Sequence, residues 1–332
     1  MILRKKSSVT GLLLVLGLAI LGAAALPLGV GPARAGFGQV TLPAVRERAV
    51  TVKLMQAPQG RRYRIRISAP RGAPPAGGFP ILYVLDGDDW FDLTVSLARM
   101  HEEQYGPLIV VAVGYPHSAP ADGSWRAQDF TSGPPQPHAD ADWATMPYGG
   151  AEAFLDFLTH KLRADLARTY KIDPTRQALF GHSLGGLFVL HVYLEHPKAF
   201  DRYIAASPSL WWEQDGLRGK AGALTDSARR PPLLVTSGGF EQELSPEDEA
   251  LARKLYVHNP SMFEGKSLAD ALADLRKSQA ENKMVDNAKG LASLLRAQGA
   301  DAQYVVFAGE THGSVPPAAL NRGIPFALRP LD

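Results

Sequence analysis

Short apolar runs recur along the chain and alternate with longer stretches whose apolar residues have helical spacing. A run in which nearly every residue is apolar is typical of a strand that is buried on both faces of a sheet. Helices between such strands favour an α/β fold, with a mostly parallel sheet and helices on both faces. The predicted strands span 81–85, 108–113, 177–180, 200–206, 232–237 and 301–307, and the predicted helices span 92–103, 151–170, 184–196 and 267–298.

Three regions depart from this pattern. Residues 46–55 and 61–68 alternate strictly, so they predict two strands joined by a turn at Gly60. In the second strand Arg62, Arg64 and Arg66 share one face, which we interpret as solvated; the alternative is a basic wall beside an anionic substrate. Residues 117–150 lack periodicity and predict a long functional or mobile loop. A helix start at Ser245, followed by the helix over 267–298, predicts a helical insertion before the last strand.

The first residues have the pattern of a secretory signal peptide. A basic start is followed by the apolar run 11–26 and by Ala33-Arg34-Ala35, a cleavage pattern just before Gly36. The run is shorter than the roughly 20 residues of a membrane span, so we favour cleavage over an anchor. The sequence therefore predicts a signal peptide over 1–35, one catalytic domain over 36–332, and a periplasmic or secreted protein that has no membrane contact after cleavage.

The composition is that of an ordinary globular protein, with 45% apolar and 20% charged residues. A formal charge of +2 and the absence of a dense basic stripe argue against a nucleic-acid partner. Since the chain has no cysteine, disulfides, a thiol nucleophile and thiolate metal sites are excluded. No histidine and carboxylate have metal-ligand spacing on a shared element, so we expect neither a metal nor a cofactor.

The pentapeptide 181–185 reads Gly-His-Ser-Leu-Gly and stands between a predicted strand and an apolar helix. Gly-x-Ser-x-Gly in that setting predicts a nucleophile elbow, with Ser183 on a sharp, strained turn. Gly181 and Gly185 are expected to remove side chains that would collide across the turn.

An oxyanion hole for such a serine needs two backbone donors. The N–H of Leu184 lies at the start of the predicted helix and is one candidate. The N–H of Asp88, just after the strand 81–85, is predicted to be the other.

Two further side chains follow later strands. In open α/β sheets, function lies at the carboxyl ends of the strands. His312 follows the last strand and is predicted to be the base that activates Ser183. Glu241 follows the strand 232–237 and is predicted to be the acid that orients the imidazole, giving the order serine, acid, histidine. The alternative acids are Glu243, Asp248 and Asp215.

Several separate segments between residues 81 and 313 carry a family pattern. They are Tyr83-Val84-Leu85-Asp86-Gly87, the stretches 126–131, 148–151, 154–155 and 181–186, and then 207–212 and 309–312. Together they resemble the esterase D-like branch of the α/β-hydrolases, and within it the exported siderophore esterases that cleave enterobactin-type trilactones. The resemblance implies an α/β-hydrolase fold, Ser183 as nucleophile and His312 as base. Some such enzymes are Ser–His dyads, so the acid stays open.

The implied substrate is anionic, bulky and aromatic when it carries iron. Arg126, Trp211 and Trp212 are therefore predicted to contact it, with Trp125 and the arginine row as further candidates. The alternative is structural: the two later tryptophans cap the core, and Arg126 pairs with Asp129.

Three functions remain open. The favoured one is a serine esterase that hydrolyses a small-molecule ester, with an iron–siderophore complex as one form of the substrate. A general carboxylesterase, acyl hydrolase or acyltransferase would use the same residues on another substrate. A hydrolase-like binding protein is the non-enzymatic alternative; it requires a broken triad, whereas Ser183 and His312 are both present.

Overall fold

A computed structural model describes residues 49–120, 123–136, 141–263 and 265–329. Its centre is an eight-stranded sheet with the order β1-β2-β4-β3-β5-β6-β7-β8. The pairs β1–β2 and β2–β4 are antiparallel, and the others are parallel. The strands are β1 Ala49–Gln56, β2 Arg62–Ala69, β3 Phe79–Leu85, β4 Ile109–Gly114, β5 Ile172–His182, β6 Arg202–Ala206, β7 Leu233–Gly238 and β8 Ala302–Phe307.

Helices cover both faces of the sheet, as the apolar runs predicted. Successive strand residues point to opposite faces, so Leu82 packs in one core cluster and Tyr83 in the other. Helices α1 and α11 cover the first face, whereas α5, α6 and α10 cover the second. The helices are α1 Gly87–Tyr105, α2 Ser124–Phe130, α3 Ala141–Ala144, α4 Ala151–Asp156, α5 Arg163–Thr169, α6 Leu184–Glu195, α7 Gln214–Gly222, α8 Pro246–His258, α9 Leu268–Asn282, α10 Met284–Ala297 and α11 Pro316–Leu328; a π-helical segment, Phe157–Leu162, joins α4 to α5.

The helical insertion before the last strand is present. Helices α8 and α9 share a small core of their own that includes Phe263 and Leu272. The hydroxyl of Ser245 caps α8 by accepting from the N–H of Asp248 at 2.9 Å. Helix α10 leaves this unit and packs on the main core. The insertion is therefore α8 and α9, attached to a sheet that is complete without them.

The helix predictions differ from the structure in several places. Helix α1 begins at Gly87 and not at 92, because Asp86 turns the chain in the left-handed region at φ 51°. The irregular region 117–150 contains α2 and α3. The helix over 267–298 is two helices, since Lys283 is left-handed at φ 46° and ends the first. Helix α11 was not predicted, although it covers the sheet beside α1.

The arginine row of β2 packs on α1, so the interpretation as a solvated face was correct only for Arg62, which is exposed. Arg64 Nε donates to Asp88 at 2.8 Å, and Arg66 pairs with Asp92 at 2.8 Å. Both guanidinium charges are already balanced by carboxylates on the helix. Arg64 and Arg66 therefore do not form the basic wall for an anionic substrate that was the alternative interpretation.

The predicted signal peptide over 1–35 lies outside the described residues. None of the helices in the part of the chain that the structure describes is both long and apolar enough to span a bilayer.

Candidate active site

Strained residues mark the carboxyl ends of three neighbouring strands. Asp86 after β3, Ser183 after β5 and Ser207 after β6 have φ of 51°, 60° and 44°. Positive φ in a residue other than glycine costs energy and is concentrated at functional sites. Ser183 has ψ −121°, so the turn between β5 and α6 is the sharp elbow that the sequence predicted. The sharp turn places Ser183 directly after the carboxyl end of β5, at the edge of the sheet.

The elbow depends on glycines, although not on both of the predicted ones. A Cβ on Gly181 would lie 2.2 Å from the carbonyl oxygen of Gly185, a distance that two such atoms cannot adopt. A Cβ on Gly185 would make only ordinary contacts, the nearest at 3.4 Å to Asp86. Gly186 is more restricted, because its Cβ would meet the Ala206 carbonyl oxygen at 2.8 Å. The close approach of α6 to β5 and β6 therefore requires Gly181 and Gly186.

We expect Gly181→Ala to lower the free energy of unfolding by about 3 kcal/mol, because the added methyl group forces α6 away from β5. Gly185→Ala is the matched control, and it should stay within about 1 kcal/mol of the native protein. Urea unfolding of both variants measures the difference. Equal stabilities would contradict the claim that the elbow is held by this backbone contact.

The hydroxyl of Ser183 is half-buried and has Ser209 as its hydrogen-bond partner within the described residues, at 3.2 Å between the two oxygens. The backbone around it is firmly held. Ser183 N–H donates to the Ala206 carbonyl at 3.0 Å, and its own carbonyl accepts from Ser209 N–H at 3.1 Å. Ser209 thus positions the elbow through main chain and side chain together.

Glu241 and His312 lie together, as predicted, at the ends of β7 and β8. Oε1 of Glu241 is 3.7 Å from Nδ1 of His312. The same oxygen accepts from the N–H of Gly238 at 3.0 Å and from the hydroxyl of Ser207 at 2.5 Å. At 3.7 Å the histidine contact is longer than a hydrogen bond, and Nδ1 has no other partner among the described residues. Catalytic hydrogen bonds often shorten only when substrate binds.

Backbone contacts between two loops create this proximity. Gly239 N–H donates to the Phe307 carbonyl at 2.8 Å, and Phe240 N–H donates to the Glu310 carbonyl at 2.9 Å. A Cβ on Gly238 would lie 2.5 Å from that Glu310 oxygen, so the loops meet only because the residue is glycine. Backbone hydrogen bonds alone therefore hold the two loops together, independently of the side chains of Glu241 and His312.

His182 is a neighbour of His312 that the sequence left without a role. The two imidazole rings lie 4.6 Å apart between centroids. Burial, reinforced by the charges of His312 and Arg126, holds the pKa of His182 well below its usual range. His182 is therefore neutral near pH 7 and adds no positive charge beside His312.

The two predicted oxyanion donors occupy helix starts. Leu184 is the first residue of α6, and Asp88 lies in the first turn of α1. N–H groups there lack acceptors within their helix, so both are free to donate. The Asp88 side chain points elsewhere, accepting from Arg64 and, at 3.1 Å, from Tyr115 N–H. The roles of both donors remain predictions.

Arg126 binds the backbone just before the Ser183 elbow. Its guanidinium pairs with both oxygens of Asp86, at 2.7 and 2.9 Å, and donates to the His182 carbonyl at 3.2 Å. The alternative pairing with Asp129 was wrong, since Asp129 pairs with Arg61. Arg126 therefore joins the ends of β3 and β5, and its predicted contact with substrate remains untested.

The tryptophan pair lies in the core. Trp211 and Trp212 are 5% and 0% exposed, and the Trp212 indole donates to the Gly133 carbonyl at 2.9 Å. Both rings therefore cap the core, which was the alternative to ligand contact, and almost no surface of either ring is open to a ligand. Trp125 packs against Arg61, whose guanidinium carbon lies 5.1 Å from its ring centre.

The alternative acids do not reach His312 as Glu241 does. Glu243 is exposed, and Asp248 belongs to the first turn of α8, where its N–H is capped by Ser245. The side chain of Asp215 lies outside the described residues.

Sequence reasoning missed three positioning residues, namely Asp86, Ser207 and Ser209. Each follows the carboxyl end of a strand, and that location was the signal that could have found them.

An α/β fold with a strained serine elbow and a histidine at the last strand end defines a hydrolase of the α/β type. The family model described as "Putative esterase" matches residues 56–309. The chain is 32% identical over 286 residues to the ferri-bacillibactin esterase BesA of Bacillus subtilis (strain 168), covering 82% of this chain and 86% of that protein. It is also 32% identical over 285 residues to the siderophore triacetylfusarinine C esterase of Aspergillus fumigatus, covering 80% and 88%.

Among solved structures, the siderophore hydrolase EstA from Aspergillus nidulans aligns with a TM-score of 0.68 and 27% identity, covering 89% of this chain and 98% of that one. The chain belongs to the esterase family that the model describes, and it is a carboxylic ester hydrolase.

Proposed function

We propose that the protein is an exported serine esterase that opens the ester bonds of a catecholate siderophore lactone. The observation that carries the reaction is the meeting of Glu241 and His312 at the strand ends beside the Ser183 elbow. Ser183, Glu241 and His312 follow the ends of β5, β7 and β8. These strands are parallel and lie near one another in the sheet, so their carboxyl ends place the three side chains at the same edge.

The proposed reaction uses Ser183 as the nucleophile. Its hydroxyl attacks the ester carbonyl while Nε2 of His312 takes the proton, and the N–H groups of Leu184 and Asp88 hold the oxyanion. His312 then gives the proton to the leaving alcohol, and an acyl-enzyme remains on Ser183. Water, activated by the same imidazole, releases the acid. Glu241 holds the imidazole in the tautomer whose Nε2 accepts a proton.

The substrate class rests on the relatives. One relative reported above is named as a ferri-bacillibactin esterase and the other as a siderophore triacetylfusarinine C esterase, and each alignment covers at least four-fifths of this chain. The described arginines near the site add no free positive charge, because Arg64 and Arg126 are paired with aspartates. We therefore expect the ester groups themselves to be recognised, with both the iron-free lactone and its ferric complex accepted. Export rests on the signal-peptide pattern over 1–35.

A substrate panel on the exported protein tests the proposal. An enterobactin-type trilactone, with and without iron, is compared with short acyl esters of p-nitrophenol, and mass spectrometry follows the products and the intact protein. We expect kcat/KM for the trilactone to exceed that for the simple esters by at least about 100-fold, a difference that binding contacts can supply. A preference for the simple esters would favour the general carboxylesterase. An intact mass equal to that of the chain from Met1 onward would contradict signal cleavage before Gly36.

A further inference from the structure

Three potential metal ligands meet at the end of α6 that is remote from the active site. Glu152 lies in the first turn of α4, His191 lies in the last part of α6, and His196 follows its end. One ligand atom from each lies within 4.8 Å of the other two. His191 lies eight residues after Ser183, about 12 Å along the axis of α6, so the cluster is separate from the serine.

The cluster is already ordered around the carboxylate. Glu152 Oε1 is 2.8 Å from Nε2 of His191, and Oε2 is 2.9 Å from Nε2 of His196. In tetrahedral zinc sites the ligand atoms lie about 2.0–2.1 Å from the metal and so about 3.3 Å from one another. Each of these two contacts would lengthen by only a few tenths of an ångström to admit the ion, and the two histidines already offer ligand atoms within 4.8 Å of each other. His191 is buried, whereas Glu152 is exposed and His196 is partly exposed, so these two side chains can make that adjustment.

The cluster also has room for the remaining ligands. Glu152 and His196 line an open cavity of about 570 Å³, together with Asp156, His160 and Lys198. Water from this cavity would complete the coordination.

We propose that Glu152, His191 and His196 form a zinc site that fastens the start of α4 to the end of α6. Two imidazoles and one carboxylate are a donor set that suits Zn²⁺, which imposes no geometric preference of its own. Ligand spacing along a single helix or strand does not reveal this site, because Glu152 and His191 are 39 residues apart on different helices.

The affinity should be moderate. A zinc-bound histidine ordinarily donates its other ring N–H to an acceptor, and losing that partner weakens binding by about 10–100-fold. Nδ1 of His191 is buried without a partner among the described residues. We therefore expect a Kd for zinc in the micromolar range and not the much tighter binding of a structural zinc module.

Zinc titration of the full mature protein, in competition with a chromophoric chelator, tests the site. We expect one zinc per chain, and at about 100 times Kd a rise in Tm of roughly 5–10 °C. His196→Ala and Glu152→Gln should each weaken zinc binding at least tenfold and abolish the rise in Tm. X-ray absorption of the bound zinc should show nitrogen and oxygen ligands that include two imidazoles.

Two matched variants locate the ion. His160→Ala removes a histidine from the same cavity, and His312→Ala removes the one that could hold zinc in the active site with His182. Both should bind zinc as the native protein does. Loss of binding in either variant, unchanged binding in His196→Ala, or no binding at 100 times the expected Kd would overturn the proposal. Ester hydrolysis by the zinc-free protein is measured separately, so the failure of either proposal leaves the other unaffected.

Discussion

Replacing Ser183 by alanine should reduce kcat for ester hydrolysis by about 10⁵-fold or more, because no other group on the elbow can form the acyl-enzyme. Stability should change little. Alanine keeps the Cβ that already occupies the strained position, and the hydroxyl makes one hydrogen bond within the described residues, to Ser209. Initial rates and the Tm of the variant measure both expectations.

A fluorophosphonate distinguishes loss of the nucleophile from loss of the fold. The native protein should gain one phosphonyl group by intact mass, and peptide mapping should place it on Ser183. Ser209→Ala is the comparison, since it removes the other half of the same hydroxyl pair but keeps the nucleophile; it should still gain one phosphonyl group on Ser183, more slowly than the native protein because the elbow loses one support. Retained hydrolysis in Ser183→Ala would refute the acyl-enzyme mechanism.

Replacing Glu241 by glutamine should lower kcat by about 10²–10⁴-fold. The amide oxygen can still accept from Gly238 N–H and the Ser207 hydroxyl, so the loop is expected to keep its shape. The amide lacks the negative charge that stabilises the imidazolium of His312, and its NH₂ group can favour the wrong tautomer. The variant is compared with the native protein by kcat and by Tm.

Glu243→Gln is the matched control for Glu241→Gln, because Glu243 lies two residues away but is exposed. Its kcat should be that of the native protein. A loss of less than about tenfold in Glu241→Gln, with an unchanged Tm, would show that Ser183 and His312 act as a dyad and that the 3.7 Å contact is only structural.

The strands and the positions of the candidate catalytic residues could be predicted from the sequence for the same reason. A strand buried on both faces must be apolar throughout, and polar residues directly after it must lie at the edge of the sheet. This reasoning located β3, β4, β6 and β7, whose residues are all buried. It also brought Glu241 and His312 to neighbouring strand ends, where the structure places them.

The errors arose where a single backbone angle or a distant partner decided the outcome. Asp86 and Lys283 adopt positive φ although neither is glycine, so no local signal marked the start of α1 or the break before α10. Trp211 and Trp212 were candidates for ligand contact, but whether an aromatic ring faces a site or the core depends on what covers it. Here the Gly133 segment does, accepting the indole N–H of Trp212.

The sequence by itself therefore determined the sheet, the elbow and the order of the candidate catalytic groups, because these follow from apolar runs, glycine spacing and chain order. Only the tertiary structure decided which charges are free. Arg126 is held by Asp86 and Arg64 by Asp88, across 40 and 24 residues of sequence. It also decided that Glu152 meets His191 of α6 and His196 just after the end of that helix. Such contacts join residues that are far apart in the chain, and spacing along one element cannot indicate them.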